Sequence, residues 1–329
     1  MGTSRRQWIR LLATAVLPLA LAAGAFAQGA YPNRPIKLIV PWTAAGTTDI
    51  SARMVADRLS AKLGQPVIVD NRPGATGQIG SQAVARAPAD GYTLLLMSAT
   101  VHSVSPNLQK TFPFEPIDDF APVSEIVRFP YALVVSATSP FQSVNDLIAA
   151  ARKAPGTISY GSFGQASAPY LITEMLALFS GTKLLHVPYK GAAPAITDVL
   201  GGNINFFIDS LPSPLAQVRG GKLRALAVTT SQRSQVLPNV PTMAETLPGF
   251  EAIAWLGIAA PAQTPRDVVA RIHAALQQIA AEPEYGAKLR DIGLEPTASA
   301  SPEQFRSFLQ QQKAHWAKVI KDANIPLVD

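Results

Sequence analysis

The sequence predicts an α/β protein made of two doubly wound α/β domains that are joined by a two-crossover hinge. Short apolar runs rich in β-branched residues alternate with helical patterns, this alternation occurs twice, and a helical tail follows. A length of 329 residues fits about two domains. Hydrophobic residues make up 48% of the chain and charged residues 15%, which excludes an intrinsically disordered protein.

The beginning of the chain has the pattern of an export signal. Three arginines precede an uncharged run, residues 11–27, that ends in Ala-Phe-Ala. The run is shorter than the roughly 20 residues that span a bilayer, and a proline interrupts it. We therefore expect a signal peptide over residues 1–27, cleavage after Ala27 and a periplasmic mature protein. An uncleaved anchor is the alternative, and the choice between Sec and twin-arginine export stays open.

The composition also excludes several classes of protein. The chain has no cysteine, which rules out disulfides, thiolate metal sites and a cysteine nucleophile. The formal net charge is +6, but no cluster of Lys and Arg follows the export signal, so no nucleic-acid partner is expected. The four histidines lie far apart in the sequence and away from carboxylates at ligand spacing. We therefore expect neither a metal nor a cofactor.

The first α/β unit begins with an apolar run at residues 36–40, which predicts a buried strand. Apolar side chains then repeat at helical spacing over residues 49–63, and a glycine stops the helix. Further strands are predicted at 67–69 and 92–97, with a helix at 79–86 between them. The short connections favour a mostly parallel sheet that is wrapped by helices.

The second unit repeats this pattern, and helices alone complete the chain. Its strands are predicted at residues 132–136, 157–160, 184–187, 206–209 and 223–229. Its helical segments are predicted at residues 144–153, 170–179, 195–200 and 213–219. The tail is predicted to form helices at 266–281, 283–292 and 302–323 without intervening strands.

Two long extended segments, near residues 123–136 and 253–260, are the candidates for crossings between the domains. Domain 1 is then predicted to comprise residues 28–129 and 253–329, and domain 2 residues 130–252. Two crossings form a hinge that can close over a ligand. The ligand should lie at the carboxyl ends of the strands.

Four loops place small or hydroxyl residues directly before a helix. These loops lie at residues 43–48, 76–77, 162–167 and 190–191. Free N–H groups and the positive end of the helix dipole suit such positions to anions. Four loops converging on one cleft would bind a carboxylate without catalysis. Simple capping of the helices, by Thr48 and Ser167 for example, is the alternative.

The glycines of residues 74–80 imitate a dinucleotide-binding loop. Their spacing is G-x-x-G-x-x-G rather than G-x-G-x-x-G, and no acid follows at the distance where the ribose would be bound. The preferred interpretation is a turn whose glycines let the backbone approach a ligand or a helix closely.

A series of short motifs extends over the whole mature chain. They include Val69-Asp-Asn-Arg-Pro-Gly-Ala-x-Gly77, Asp90-Gly-Tyr-Thr-Leu94, Val187-Pro-Tyr-Lys-Gly191 and Pro238-x-Val-Pro-Thr242. In this order they resemble the Bug-type (TctC-like) solute-binding proteins of tripartite tricarboxylate transporters. The resemblance implies a type II periplasmic binding protein fold, a "Venus flytrap", that captures a small organic acid. The implied partners are a mono-, di-, tri- or aromatic carboxylate and the membrane subunits of a transporter, and we expect a monomer that is not an enzyme.

The resemblance also implies that the loops after the first and second strands, and those at Gly161 and Tyr189, line the cleft. One ligand carboxylate would be held by the first domain, often through waters. The candidate ligand-binding residues are Trp42, Gly46, Thr47, Thr48, Asp49, Thr76, Gly77, Gln78, Ser98, Ser162, Gln165, Ser167, Tyr170, Tyr189, Lys190, Gly191 and Asp209.

The chain departs from the family pattern in its first loop and in its second-domain loop. Trp42 replaces a Phe and Ala45 replaces a Gly, while Tyr170 stands where the family has a His. Trp42 could cover an apolar ligand body or pack in the core, and Tyr170 could donate to a carboxylate or pack. Asp49 and Asp209 would repel an anion unless they read a donor on the ligand, although Asp49 could simply stabilise its helix.

Two other functions stay open at this point. A ligand-sensing partner of a membrane sensor kinase would differ from a transport protein only in its partner. A hydrolase or lyase on the same scaffold would require a nucleophile with a base, and the sequence motifs show no such pair.

Overall fold

A computed structural model describes residues 31–44, 46–165 and 167–327 of the chain. The predicted signal peptide, its cleavage site and Ala45 lie outside these residues. The structure confirms the predicted α/β class, with strands that join into one mixed sheet and helices packed against it. Within the described part of the chain, no helix combines the length and the apolar character needed to cross a membrane.

The first three strands are parallel, and the first two helices lie between them in the sequence. These elements are β1 (Ile36–Val40), β2 (Val67–Asn71) and β3 (Thr93–Ser98), with α1 (Thr47–Leu63) and α2 (Gln78–Ala85). Four of the five residues of β1 are buried. Helix α1 ends because Gly64 adopts the left-handed conformation, with φ 72°.

Two long strands cross the centre of the molecule. They are β4 (Phe120–Ser136) and β9 (Ile253–Pro261), which pair antiparallel from Phe120 opposite Pro261 to Pro130 opposite Ile253. The expectation of a mostly parallel sheet is wrong here. A chain that crosses once and returns must run in opposite directions on the two crossings, and β9 also pairs antiparallel with β3.

The remaining strands extend the C-terminal part of β4. They are β5 (Ser159–Ser162), β6 (Leu185–Pro188), β7 (Phe206–Ser210) and β8 (Leu223–Val228). Strands β7 and β8 pair antiparallel with β4, whereas β5 pairs parallel with β6 and β7. The helices of this part are α3 (Val144–Lys153), α4 (Ala168–Ser180), α5 (Ala192–Gly201) and α6 (Leu215–Arg219).

We name the two parts of the sheet by their strands. The first half-sheet comprises β2, β1, β3, β9 and residues 120–130 of β4, and the second comprises residues 131–136 of β4 with β8, β7, β5 and β6. Hydrophobic side chains of both, such as Ile36 and Ile208, belong to one continuous buried cluster. The domain boundaries of the sequence analysis stay a prediction.

The C-terminal segments return to the first half-sheet. They are α7 (Arg266–Ala280), α8 (Pro283–Asp291), β10 (Glu295–Pro296) and α9 (Pro302–Asp322). Helix α7 packs on α1, and α9 packs on β4 and on the turn that follows β3. The tail does contain a strand, contrary to the prediction, because Glu295 and Pro296 pair with Arg128 and Val127 of β4.

Thr229, the residue directly after β8, links by hydrogen bonds the two chain segments that pass between the half-sheets. Its hydroxyl donates to the Ala252 carbonyl at 2.7 Å and accepts from the Tyr131 N–H at 2.9 Å. Its own N–H donates to the Tyr131 carbonyl, and its carbonyl accepts from the Ala252 N–H. The residue is fully buried. The passage between the two half-sheets is therefore hydrogen-bonded backbone rather than a free linker.

Candidate functional site

A cavity of about 480 Å³ is lined by residues of both half-sheets. Its first wall follows β1, β2 and β3 and consists of Trp42, Thr47, Thr48, Thr76, Ser98, Ala99 and Thr100. Its second wall is formed by residues that follow β5 and by the last residues of β7. These residues are Phe163, Ser167, Ala168, Pro169, Asp209 and Ser210. Its floor belongs to the crossing strands and consists of Phe129, Tyr131, Ala254, Trp255 and Leu256.

Helix α1 begins at the first wall. Thr47 and Thr48 are its first two residues, and Gly46 is the N-cap, which has no side chain to cap the helix. The N–H groups of the first turn have no partner within a helix, and they carry the positive end of its dipole. Thr48 as the N-cap is therefore wrong, because the helix begins two residues earlier than predicted. The wall offers N–H groups and hydroxyls to an anion.

Helix α4 begins at the second wall. Ser167 occupies the N-cap position, but its hydroxyl does not cap the helix. Instead it donates to the Gly164 carbonyl at 2.6 Å and accepts from the Phe163 N–H at 3.2 Å. The capping explanation fails for this residue too, because the hydroxyl closes the preceding loop. Pro169 lacks an N–H, so this helix offers fewer donors than α1.

The glycine-rich loop presses its backbone against the first wall. Ala75 and Thr76 have φ of 45° and 53°, and Gly77 has φ of 92°. A Cβ atom on Gly77 would lie 2.7 Å from Val101 and 3.4 Å from the Trp42 ring. The structure thus agrees with the predicted close-approach turn. Two non-glycine residues in the left-handed region strain the backbone, and such strain is common at ligand sites.

Trp42 both packs in the core and lines the cavity. Its ring packs against the buried cluster that spans both half-sheets and against a second cluster in the first half-sheet, and it belongs to the first wall. Its buried indole Nε1 has no hydrogen-bond partner among the described residues, and the same holds for Ser98 Oγ and Trp255 Nε1. A buried polar atom without a partner is costly and rare in native proteins. Three such atoms in residues of one cavity mark this region as specialised.

The turn after β3 also buries polar side chains. Residues Thr100–Val104 form a π-helical turn, a geometry often found at functional sites. His102 in this turn is fully buried against Phe120, and its Nε2 has no partner. Burial holds the pKa of His102 far below its usual range, to about 3, so the ring is neutral. The hydroxyls of Ser103 and Ser105 are also buried without a partner.

Asp209 brings a carboxyl group to the second wall. Its side chain is 5% exposed and accepts from the Ser210 N–H at 2.8 Å and from the Ser213 hydroxyl. Burial raises the pKa of Asp209 to about 6. Within the described residues, no Lys, Arg or His lines this cavity to balance the charge.

Asp49 is a predicted site residue that the structure holds away from the cavity wall. Its carboxylate accepts from Arg53 Nε at 3.0 Å and from Asn71 Nδ2 at 2.9 Å. Asn71 also donates to the Trp42 carbonyl at 3.1 Å. Asp49 therefore fixes the start of α1 to the end of β2 and to the first loop, in line with a structural role.

Ser162 and Tyr170 contact His186 and do not line the cavity. The Ser162 Oγ and His186 Nε2 atoms are 2.5 Å apart, and the Tyr170 ring packs edge-on at 4.9 Å. This serine–histidine contact corrects the expectation that no nucleophile and base lie together. Ser162 is fully buried, however, and the nearby Glu174 accepts instead from the Tyr160 hydroxyl at 2.6 Å. The geometry thus favours packing for Tyr170.

The other predicted residues also lie off the cavity wall. The Tyr189 hydroxyl donates to Asp198 at 2.6 Å, and Gln78 donates to Gln109 at 3.0 Å. The predicted residues that the structure does not bring to the wall are Gly46, Asp49, Gly77, Gln78, Ser162, Gln165, Tyr170, Tyr189, Lys190 and Gly191. Those that it does bring together are Trp42, Thr47, Thr48, Thr76, Ser98, Ser167 and Asp209.

The floor is the part of the cavity that sequence reasoning missed. Phe129 and Tyr131 lie where β4 passes from the first half-sheet to the second, and Trp255 lies near the start of β9. Both crossing segments were predicted, so side chains near their midpoints could have been chosen as candidates. Within the described residues, no group of three or more His, Asp or Glu is arranged to hold a metal ion.

Comparison with known proteins gives the family. Residues 51–325 match the tripartite tricarboxylate transporter family receptor, and the chain belongs to this family. It is 37% identical to Protein BugT of Bordetella pertussis over 97% of this chain and 98% of that protein.

Two solved structures from Rhodopseudomonas palustris are similar over nearly their whole length. Rpa4515 with adipate shares 37% identity over 90% of this chain and 99% of that one, with a TM-score of 0.81. MatC with bound malate shares 27% identity over 88% of this chain and 100% of that one, with a TM-score of 0.76. The predicted Bug-type family and its binding-protein fold are thereby confirmed.

Proposed function

We propose that the chain is an exported, periplasmic solute-binding protein that captures a small organic acid in the cavity between its half-sheets. It then delivers this acid to the membrane subunits of a tripartite tricarboxylate-type transporter. Binding requires neither a cofactor nor a metal, and the acid is released unchanged. The signal peptide predicted for residues 1–27 supports the location, and the family membership supports the partner.

The start of α1 at the first wall is the observation that carries this proposal. Thr47 and Thr48 open the helix there without a capping side chain. A carboxylate at this position would accept hydrogen bonds from free N–H groups and neutralise the end of the helix dipole. The hydroxyls of Thr76 and Ser98 on the same wall supply further donors.

The body of the ligand would contact apolar side chains. Trp42, Phe163 and Trp255 line the cavity and offer aromatic surface on three sides of it. Two solved relatives are described with adipate and with malate, which are both small carboxylates. A cavity of about 480 Å³ lies within the usual range for small-molecule sites.

The crossing strands would let the two walls move together. Strand β4, the segment that enters β9 and the Thr229 contacts connect the half-sheets at the floor. A small bend in these strands closes the second wall over the first, as in other hinged binding proteins. The Ser162–His186 contact lies off the cavity, which supports binding without catalysis.

A thermal-shift screen of mono-, di-, tri- and aromatic carboxylates tests the proposal, with the corresponding neutral amides as matched controls. A ligand present at about 100 times its Kd should stabilise the fold by about 2.7 kcal/mol. The amides should give no shift, and a chelator should leave the shift intact. With the best acid, small-angle scattering should show a smaller radius of gyration, and chromatography should return the acid unchanged. Stabilisation by no acid, or by amides equally, contradicts the proposal.

A further inference from the structure

Asp209 gives the cavity a polarity that its other residues lack. Among residues 31–44, 46–165 and 167–327, it is the one Asp, Glu, Lys, Arg or His on the wall. It lies in the second wall, near the end of β7, while the uncapped start of α1 lies in the first wall. One wall is therefore suited to bind an anion, and the other presents an anion itself.

The Asp209 carboxylate retains capacity to accept a further hydrogen bond. An ionised carboxylate has about four lone-pair sites. The Ser210 N–H and the Ser213 hydroxyl use two of them, and the Ser210 hydroxyl adds a long contact of 3.5 Å. Since the pKa of Asp209 is about 6, the group is mostly ionised at about pH 7.5.

The partners of Asp209 do not explain why an acid is buried there. Asp49 has Arg53 and Asn71, whereas the described wall around Asp209 holds no cation. Burying a carboxylate without a cation is unfavourable. A neutral residue would avoid this cost, and the position of the carboxylate on the wall lets it contact a molecule that enters the cavity.

We propose that the ligand carries a hydrogen-bond donor at the end opposite its carboxylate, and that Asp209 accepts the hydrogen bond from this donor. The proposal rests on the function proposed above. A hydroxyl or an ammonium group fits this position. A second free carboxylate does not, because it would face the Asp209 carboxylate at short range. We therefore expect this chain to disfavour dicarboxylates such as adipate at about pH 7.5.

Calorimetric titration with four series of acids tests the proposal at about pH 7.5. The series are alkanoates, ω-hydroxyalkanoates, ω-aminoalkanoates and dicarboxylates of matched length, such as hexanoate, 6-hydroxyhexanoate, 6-aminohexanoate and adipate. The wild type should bind the hydroxy and amino acids about tenfold to hundredfold more tightly than the plain acids. Dicarboxylates should bind more weakly than either.

Asp209→Asn should change this order. The preference for the amino acids should fall most, because the amide keeps an acceptor but loses the charge, and dicarboxylates should gain affinity. Asp57→Asn removes the same charge from the exposed face of α1 and should behave as the wild type. Asp209→Ser is a second variant and should show the same change of preference.

The outcomes separate this proposal from the one on which it rests. If acids bind but the terminal group makes no difference, or if dicarboxylates are preferred and Asp209→Asn leaves that preference intact, Asp209 does not read the ligand. If no acid of any series binds, the proposed function itself is wrong, and this assignment of Asp209 is wrong with it.

Discussion

Asp49 and Asp209 both carry buried carboxylates, but their hydrogen-bond and ion-pair partners differ. In the first wall region, Asp49 is 2% exposed and its oxygens accept from Arg53 and Asn71. In the second wall, Asp209 is 5% exposed and has only neutral donors within the described residues. The first acid stabilises the loop that carries Trp42, whereas the second costs stability. Partners, rather than burial alone, therefore distinguish a structural acid from one that is kept for a ligand.

The largest expected effect concerns the stability of the protein without ligand. The folded-state pKa of Asp209, about 6, lies above the ordinary value of about 3.9. The folded state thus binds more protons than the unfolded state between about pH 4 and pH 6. The free energy of unfolding that depends on this group therefore falls as pH rises through that window. Above about pH 6, the ionised Asp209 side chain lowers the free energy of unfolding by at most about 3 kcal/mol. Asp209→Asn should therefore raise the melting temperature at about pH 7.5 and not at about pH 4.

The groups that face the Asp209 carboxyl are Tyr131 of β4 and the two serines at positions 210 and 213. Burial raises the pKa of Tyr131, so its phenol stays protonated over this range. Asp57→Asn is the control for the lost charge and should not shift the melting temperature in this manner. A lower melting temperature for Asp209→Asn at about pH 7.5 would mean that Asp209 is a stabilising residue like Asp49.

The next effect concerns the affinity that each wall supplies. Thr48→Val removes one hydroxyl donor from the first wall, whereas Ser167→Ala removes a second-wall hydroxyl whose hydrogen is already donated to the Gly164 carbonyl, so the larger loss is expected for Thr48. A lost hydrogen bond to a carboxylate costs about 1.5–3 kcal/mol, or roughly a tenfold to hundredfold higher Kd. Calorimetric titration with the best acid of the screen measures this change.

Thr197→Val is the matched control, because its exposed hydroxyl lies on α5 and bonds only within the helix. A large effect of Thr48→Val with none of Ser167→Ala would assign the carboxylate to the first wall alone. If both variants bind as the wild type does, the ligand lies elsewhere.

The smallest effect is expected for Asp49→Asn. The amide loses the ion pair with Arg53, which is half exposed and therefore weak, and loses one acceptor for Asn71. Unfolding should become easier by about 1 kcal/mol, while the Kd for the acid should stay within about threefold. Denaturant unfolding and titration of the same sample compare the two. A tenfold change in Kd at unchanged stability would make Asp49 a ligand residue after all.

The fold was predictable because its signals are local. The apolar run of β1, the helical spacing of α1 and the glycine that ends it all lie within short windows of sequence. The pairing of β4 with β9 depends instead on residues far apart in the chain, so the antiparallel centre of the sheet was missed.

The cavity wall was predictable where a loop joins a strand to a helix, as at Thr47 and Thr48, and at the strand ends that carry Ser98 and Asp209. The floor residues Tyr131 and Trp255 were missed because the face of a strand that meets a cavity depends on its register. The partners that hold Asp49 and Tyr189 away from the cavity wall could not be predicted from nearby sequence. Asn71 lies 22 residues from Asp49 in the sequence, and the Tyr189 hydroxyl donates to Asp198.

The position of β9 has a consequence for how the chain reaches its native state. In the sheet, β9 lies between β3 and β4, although it is the last long strand to be synthesised. Until residues 253–261 have left the ribosome, β3 lacks its inner neighbour, and the first half-sheet cannot form its central ladder. Such non-local pairing makes folding slow, because a long loop must close before its contacts are gained. The order of strands therefore delays completion of the first half-sheet until residues 253–261 have been synthesised.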